Sequence, residues 1–250
     1  MLNPISVVIP FYNGNRYFHE CLDSVAAQSL QPLEVIIVVD NDSELPCLPS
    51  NYPIDVKIIK NPEAFNGAGI CRYYGFEEAQ GDFVCFLDPD DLWVENKLKL
   101  QLSAVLKRKL VFSFGSYENF RENVILSTIT PKAPYTLDNF LKKTFTVGCA
   151  TVMIDKFSFN KIEPNYLKRR NDYYMWWQII TKLDSSGIKW GGVEEILSRH
   201  RIHDNALTKS KVKSAIGYWK YLSKIKPGAK QKIIFFVFYL KNTIRERLLS

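Results

Sequence analysis

Three carboxylates crowd the end of one apolar run. In FLDPDDLWVENKL (86–98), Asp88, Asp90 and Asp91 follow Phe86 and Leu87, with Pro89 set among them. Like charges this close repel unless a cation joins them. Oxygen donors at so short a spacing suit Mg2+ or Mn2+, which keep several waters and bind phosphate as well. No Cys/His cluster of the kind zinc takes is present. Another acid, Asp40, closes a second apolar run, EVIIVVD (34–40). These residues predict a divalent ion at Asp88 and Asp90 that holds a diphosphate. The plainer role for an Asp before a helix is a cap. An Asp-x-Asp-Asp after a buried strand, beside a second acidic strand end, favours the ion for Asp88 and Asp90. Asp91, next to Leu92 and Trp93, is read as the helix cap.

The elements that must position these acids alternate in type. SVVIP (6–10), EVIIVVD (34–40), DVKII (55–59) and DFVCFLD (82–88) are short, continuously apolar runs, as expected of strands buried on both faces. Between and after them, residues 15–30, 66–81 and 92–109 carry helical spacing, with glycines marking both ends of the second. Strands and helices in this order predict a parallel sheet covered on both faces. Its ligand site should lie beyond the carboxyl ends of the strands, here Pro10–Asn13, Asp40–Ser43 and Asp88–Asp91. After about residue 110 the pattern changes to LVFSFGSYENF and NVILSTI, strands of a mixed or antiparallel part. A helix over 171–187, a strand-rich stretch over 188–203 and a last helical stretch from Ala229 complete the chain.

With 250 residues, 46% of them hydrophobic, the chain suits one large domain or one domain with an appendage. MLNPISVVIP enters a strand directly and lacks the basic, apolar, small-residue order of a signal peptide. No apolar run reaches the ~18–20 residues that span a bilayer. The five cysteines are odd in number and form no Cys-x-x-Cys, which suggests reduced thiols in a cytoplasmic protein. The net charge of +7 is unevenly distributed. Residues 209–250 hold 11 Lys or Arg and one acid, so the tail is +10 and the rest of the chain −3. Charge concentrated in this way addresses a polyanion, either nucleic acid or an anionic membrane face.

Six segments, in order, resemble an inverting glycosyltransferase of family 2, with the nucleotide-sugar-binding fold called GT-A. They are SVVIPFYN (6–13), EVIIVVDNDS (34–43), NGAGICRYYG (66–75), GDFVCFLDPDDLW (81–93), NDYYMWWQI (171–179) and RIHDNALT (201–208). The resemblance implies a Rossmann-like α/β fold with a mixed, mainly parallel sheet flanked by helices. It divides the chain into a catalytic domain over 1–208 and a basic amphipathic helical tail over 209–250. Within the domain, 1–110 is the nucleotide-binding half and 111–208 the acceptor-binding half.

The resemblance also implies roles. Asp40 would accept from the uracil N3–H of a UDP-sugar, with Pro10 and Tyr12 shaping the base pocket; Asp42 is a rival for Asp40, and Val39 stands where relatives carry a first Asp. Arg72 would lie near the ribose or diphosphate, followed by Tyr73 where Asn is familiar. Asp88 would reach the ribose or a metal-bound water. Asp90 would bind Mn2+ or Mg2+, joined by His203 of Arg201-x-His203. Asp172 would be the catalytic base, preceded by Asn171 where Glu is commoner. Asp172 can also be read as a first-turn acid at a helix start. One of Trp176 and Trp177 is a candidate for stacking on a sugar, against the commoner core role of a helical aromatic run. Gly148–Thr151 is a candidate border of the donor or acceptor site, against a glycine where another chain passes close.

The tail sets eight consecutive apolar residues, Ile233 to Leu240, between Lys232 and Lys241. It suits an amphipathic helix that either packs on the domain or lies on an anionic inner leaflet. The second arrangement fits an acceptor carried on a polyprenyl diphosphate, as in bacterial surface-polysaccharide assembly, and a peripheral place on the inner face of the cell membrane. Other functions fit less well. A phosphatase of the haloacid dehalogenase type wants Thr or Val where Leu92 stands. A nucleotidyltransferase wants a Gly-rich, Arg-containing loop where FYNGNRYF stands. A nucleic-acid binder is not expected, because the tail is apolar between its charges and the body is acidic.

Overall fold

The structure is a computed structural model that describes residues 3–13, 16–48, 51–159, 161–203 and 210–248, without the side chains of 211 and 245–248. Nine strands form one sheet: β1 (Ile5–Phe11), β2 (Glu34–Val39), β3 (Val56–Lys60), β4 (Phe83–Phe86), β5 (Leu92–Trp93), β6 (Phe112–Arg121), β7 (Val124–Ile129), β8 (Met153–Asp155) and β9 (Trp190–Arg201). The helices are α1 (Phe18–Ala26), α2 (Ala68–Glu78), α3 (Lys97–Arg108), α4 (Leu137–Leu141), α5 (Asn171–Ser185), α6 (Lys211–Ile225) and α7 (Ala229–Leu248).

Strand order is β3-β2-β1-β4-β8-β6-β9-β5, with β7 on β6. The first four are parallel, as their unbroken apolar character predicts. Beyond β4 the sheet is mixed: β8 is antiparallel to β4 and β6, and β9 is parallel to β6. Alternate residues of β1 face opposite cores. Val7, Ile9 and Phe11 pack with α1 and α3, while Val8 packs with α2 and α5. Trp176 belongs to the second core: it is fully buried, with its ring 5.4 Å from Phe86 and 5.5 Å from Phe112. It is therefore unable to stack on a sugar, and the core role holds for it.

Two boundaries differ from the sequence reading. The helix expected over 92–109 begins only at Lys97, because Leu92 and Trp93 pair with Arg199 and Ser198 and the Trp93 indole donates to Ala150 O at 2.8 Å. In the tail, α7 begins at Ala229 as expected, but Lys226-Pro227-Gly228 separates it from an earlier helix, α6. Both helices pack on the domain. The Tyr218 and Tyr239 rings stack at 4.1 Å, and Arg170, at the start of α5, donates to the Tyr239 hydroxyl at 3.2 Å. Its guanidinium also lies 5.1 Å from the Tyr173 ring and 5.5 Å from the Tyr239 ring. Residues 204–208 of the last matching segment, Asn15 at the first helix start and the 208/209 boundary fall outside the described residues.

Helix α2 approaches the sheet closely because Gly75 has no side chain. A Cβ there would stand 2.2 Å from Val8 Cγ1 and 3.2 Å from Val38 Cγ2. The same helix carries Arg72, so its seating matters to the site. Gly75→Ala is expected to lower stability by about 1–3 kcal/mol through overpacking, despite alanine's better helix propensity. A fall in the urea-unfolding midpoint would show it.

Candidate active site

Because β1 has β2 on one side and β4 on the other, the strand order reverses at β1, and a crevice opens beyond the carboxyl ends there. A cavity of about 410 Å3 occupies this place. Pro10 and Tyr12 reach it from the end of β1, Asp40 from β2, and Asp88 and Asp90 from β4. Arg72 comes from the first turns of α2, Asp172 from the first turn of α5, and His203 from just past β9. These eight residues, each given a binding, metal or catalytic role by the sequence resemblance, line this one cavity.

Asp40 is buried and faces the cavity, with its Oδ1 accepting from Asn61 Nδ2 at 3.1 Å. Its rival Asp42 accepts instead from Asn66 Nδ2 and does not line the cavity. Val39 ends β2 inside the core beneath. Arg72 is buried and holds two partners, Asp88 through Nη2 and Asn171 Oδ1 through Nη1 at 2.8 Å. Burial is the largest single effect and works against the charged guanidinium, but Asp88, Cys149, Asp172 and the hydrogen bond to Asp88 together outweigh it, and the net shift is upward. Burial raises the Asp88 carboxyl above the usual range; Arg72 offsets only part of this, and Asp91 and Asp90 add to it. Asn171 serves here as the second anchor of Arg72.

Asp91 does not cap a helix. It is buried before β5, where Oδ1 accepts from the Arg201 N–H at 3.0 Å and lies 3.0 Å from His200 Nδ1. The Asp91 charge raises His200 to about 9, against a smaller opposing effect of burial. The position that caps α3 is Asn96, whose side chain makes no cap hydrogen bond. Asp91 thus ties β9 to the acidic strand end. Arg201 adds to the tie: Nε donates to Asp90 O at 3.0 Å and Nη2 to Glu20 at 2.7 Å.

Asp90 and His203 meet at the rim, with Oδ2 and Nε2 2.9 Å apart. As drawn this is a hydrogen bond. The same separation is close to the ~3 Å between neighbouring ligands of an octahedral ion with bonds of about 2.1 Å. Among the described residues no three His, Cys, Asp or Glu side chains gather into a metal cage. Two protein ligands with the rest from phosphate and water is the ordinary arrangement for Mg2+. The residues present therefore fit such an ion in the company of a diphosphate.

Asp172 has no hydrogen-bond partner among the described residues and stands half-buried at the cavity wall. Gly148–Thr151 lies outside the cavity; a Cβ at Gly148 would stand 2.9 Å from Tyr117 Cδ1, so the glycine serves close packing. Trp177 is half-buried against Tyr174, at 5.5 Å. Three contributors were missed in the sequence: Asn61, His200, and the run Lys168-Arg169-Arg170 that lines the wall beside Asp172. The last had a signal, since KRR directly precedes Asn171-Asp172.

Fold and cavity together define a class, and sequence comparison agrees. The model of glycosyl transferase family 2 matches residues 6–162, and the chain belongs to that family. It is 33% identical over 250 residues to the "Putative teichuronic acid biosynthesis glycosyltransferase TuaG" of Bacillus subtilis, covering 98% of this chain and 97% of that one. It is 27% identical over 244 residues to an Escherichia coli protein, the UDP-Glc:alpha-D-GlcNAc-diphosphoundecaprenol beta-1,3-glucosyltransferase WfgD, covering 97% and 94%. Among solved structures it resembles S. aureus TarS 1-349 in complex with UDP-GlcNAc, with a TM-score of 0.66 at 17% identity over 95% of this chain and 71% of that one. It also resembles the mannosyltransferase PcManGT of Pyrobaculum calidifontis, in complex with GDP-Man and Mn2+, with a TM-score of 0.62 at 13% identity over 94% and 68%. The fold is of the GT-A type, as the sequence resemblance implied.

The His200–Asp91 pair predicts an alkaline loss of stability. A folded-state pKa of about 9 exceeds the unfolded value of about 6.5, so the pair stabilises fully below about 6.5 and its contribution is lost as pH rises through about 9. Solvent at the imidazole screens the pair, which limits the effect to about 1 kcal/mol, or ~2–4 °C in a chain of this size. Melting curves from pH 6 to 10 should show this extra fall in the wild type and not in Asp91→Asn.

Proposed function

We propose that this protein is an inverting glycosyltransferase that moves a sugar from a UDP-sugar to a hydroxyl of a glycan acceptor carried on a lipid diphosphate, in the synthesis of a bacterial surface polysaccharide. The observation that carries the reading is the single cavity shared by Asp40, Asp90, His203 and Asp172. It offers a base-binding end, a place for a diphosphate and a free carboxylate within one enclosure. The name of the relative WfgD, which specifies a UDP-Glc donor and a diphosphoundecaprenol-linked acceptor, supports the same reading.

In this mechanism the Asp40 carboxylate accepts from the uracil N3–H, and Asn61 fixes its orientation. Pro10 and Tyr12 flank the base. Arg72 holds Asp88 in place at the ribose end. Asp90 and His203 would hold Mn2+ or Mg2+, which when bound supplies Lewis-acid stabilisation of the departing diphosphate. Asp172 takes the proton from the acceptor hydroxyl as that oxygen attacks the anomeric carbon. Attack from the face opposite the leaving group inverts the anomeric centre.

Place in the cell follows from the tail. Among the described residues no helix is long and apolar enough to cross a membrane. Ile233, Val237, Leu240 and Ile244 recur at helical spacing on α7 and are exposed, while Phe235 and Tyr239 face the domain. With Lys230, Lys232 and Lys241 on the same helix, this is the composition of a helix lying on an anionic leaflet. The protein is accordingly read as cytoplasmic and peripheral on the inner face of the membrane.

Calorimetric titration with UDP, with and without Mn2+, tests the donor reading; wild type without metal-dependent UDP binding would sink it. Asp90→Ala should lose the metal-dependent part of the affinity. Asp172→Asn should keep UDP binding and lose transfer by about 10²–10⁴-fold, the range of a general base. In flotation assays the protein should bind phosphatidylglycerol vesicles and not phosphatidylcholine vesicles, and release in high salt; equal binding to both would remove the electrostatic docking.

A further inference from the structure

Next to the donor cavity lies a second cleft of about 460 Å3, between α6 and the loop before α5. Its basic groups are Lys168 and Arg169 from the loop, and Lys213 and Lys220 from α6. Among the described residues no acidic side chain lines it. Lys213 and Lys220 are seven residues apart, so they stand on one face of α6, on either side of Ile216 and Gly217. Among the described residues, Lys168, Lys213 and Lys220 have no carboxylate partner for their ammonium groups. Phe65, Tyr166, Leu167 and Ile216 supply apolar walls, and the Phe65 and Tyr166 rings meet edge to face at 5.3 Å.

This cleft is built by the fold and is no accident of surface lysines. A Cβ on Gly217 would stand 2.9 Å from Arg169 Cβ, so α6 is seated directly on the loop. The Arg170–Tyr239 bond and the Tyr218–Tyr239 stack hold it there. Lys168 and Arg169 line both cavities, and the chain runs on from them through Arg170 and Asn171 to Asp172. Lys168, Lys213 and Lys220, without carboxylate partners among the described residues and set over apolar walls, suit an anion of multiple charge that is joined to an apolar group. A diphosphate bearing a sugar on one side and a hydrocarbon chain on the other has that chemistry. Its sugar would extend past the shared Lys168–Arg169 wall towards Asp172.

We propose that the second cleft binds the diphosphate of the lipid-linked acceptor, with Lys213 and Lys220 of α6 as its principal cations. This rests on the acceptor class in the proposed function and adds the residues that recognise it. It also gives α6 a part in substrate binding.

Farnesyl diphosphate, a short soluble prenyl diphosphate, is the probe. It is titrated into wild type and into Lys213→Ala/Lys220→Ala, each with and without saturating UDP. Both lysines are exposed on α6, so the variant should melt with the wild type. The expected result is binding to UDP-loaded wild type, at least tenfold weaker binding to the variant, and UDP affinity equal within twofold in both. Farnesyl diphosphate that fails to bind, binds both proteins equally, or is displaced by UDP overturns the proposal. Loss of phosphatidylglycerol-vesicle binding in the variant with unchanged farnesyl diphosphate binding would make the cleft a bilayer headgroup site and also overturn it. Failure of UDP binding in both proteins would strike the donor reading alone, since the farnesyl diphosphate arm without UDP still decides this one.

Discussion

Arg72 lies under the cavity with its guanidinium divided between Asp88 and Asn171, and the rest of the site depends on this buried cation. A charge taken out of water is tolerated only when paired and hydrogen-bonded. Here the partners come from the end of β4 and the start of α5, ninety-nine residues from Arg72 in the latter case. The pair therefore fixes the acidic strand end relative to the helix that carries Asp172. It also removes one negative charge from a rim that would otherwise hold Asp88, Asp90 and Asp91 with little to balance them. His200 and Arg201 do the same for Asp91 from the other side. Asp40, Asp90 with His203, and Asp172 remain to face the cavity.

Much of this was legible in the sequence, for a physical reason. Parallel strands buried on both faces leave continuous apolar runs, and their carboxyl ends are where chemistry collects, so the acids at 40 and 88–91 announced the crevice. Asp91 was misjudged because a cap and a strand-entry acid look alike locally. Its partners, His200 and Arg201, lie more than a hundred residues away, and no spacing rule reaches that far. Trp176 and Trp177 illustrate the same limit. Adjacent residues on a helix point about 100° apart, so one can fill the core while its neighbour is half exposed. Lys168 to Arg170 were visible as a basic run, but only the packing of α6 and α7 showed that the run forms a wall.

The C-terminal helices adopt one of the two arrangements that the tail's composition left as alternatives, packing on the domain. One face of α7 packs on the domain through Phe235 and Tyr239, and another presents Ile233, Val237 and Ile244 to solvent. Burial of aromatic rings at about 25 cal/mol per Å2 explains why the inner face stays put. The outer face is then free for a second surface without any rearrangement of the first.

The stack of Tyr218, Tyr239 and Arg170 has a geometric consequence. Arg170 is the residue from which α5 springs, and Asp172 follows two residues later. Helix α7 runs for 20 residues, a rod about 30 Å long. A rod of that length laid on a plane sets tilt as well as distance, which a point anchor cannot do. Through the stacked rings α7 is joined to the start of α5, so a surface on which the rod lay would meet the mouth of the cavity at a set angle.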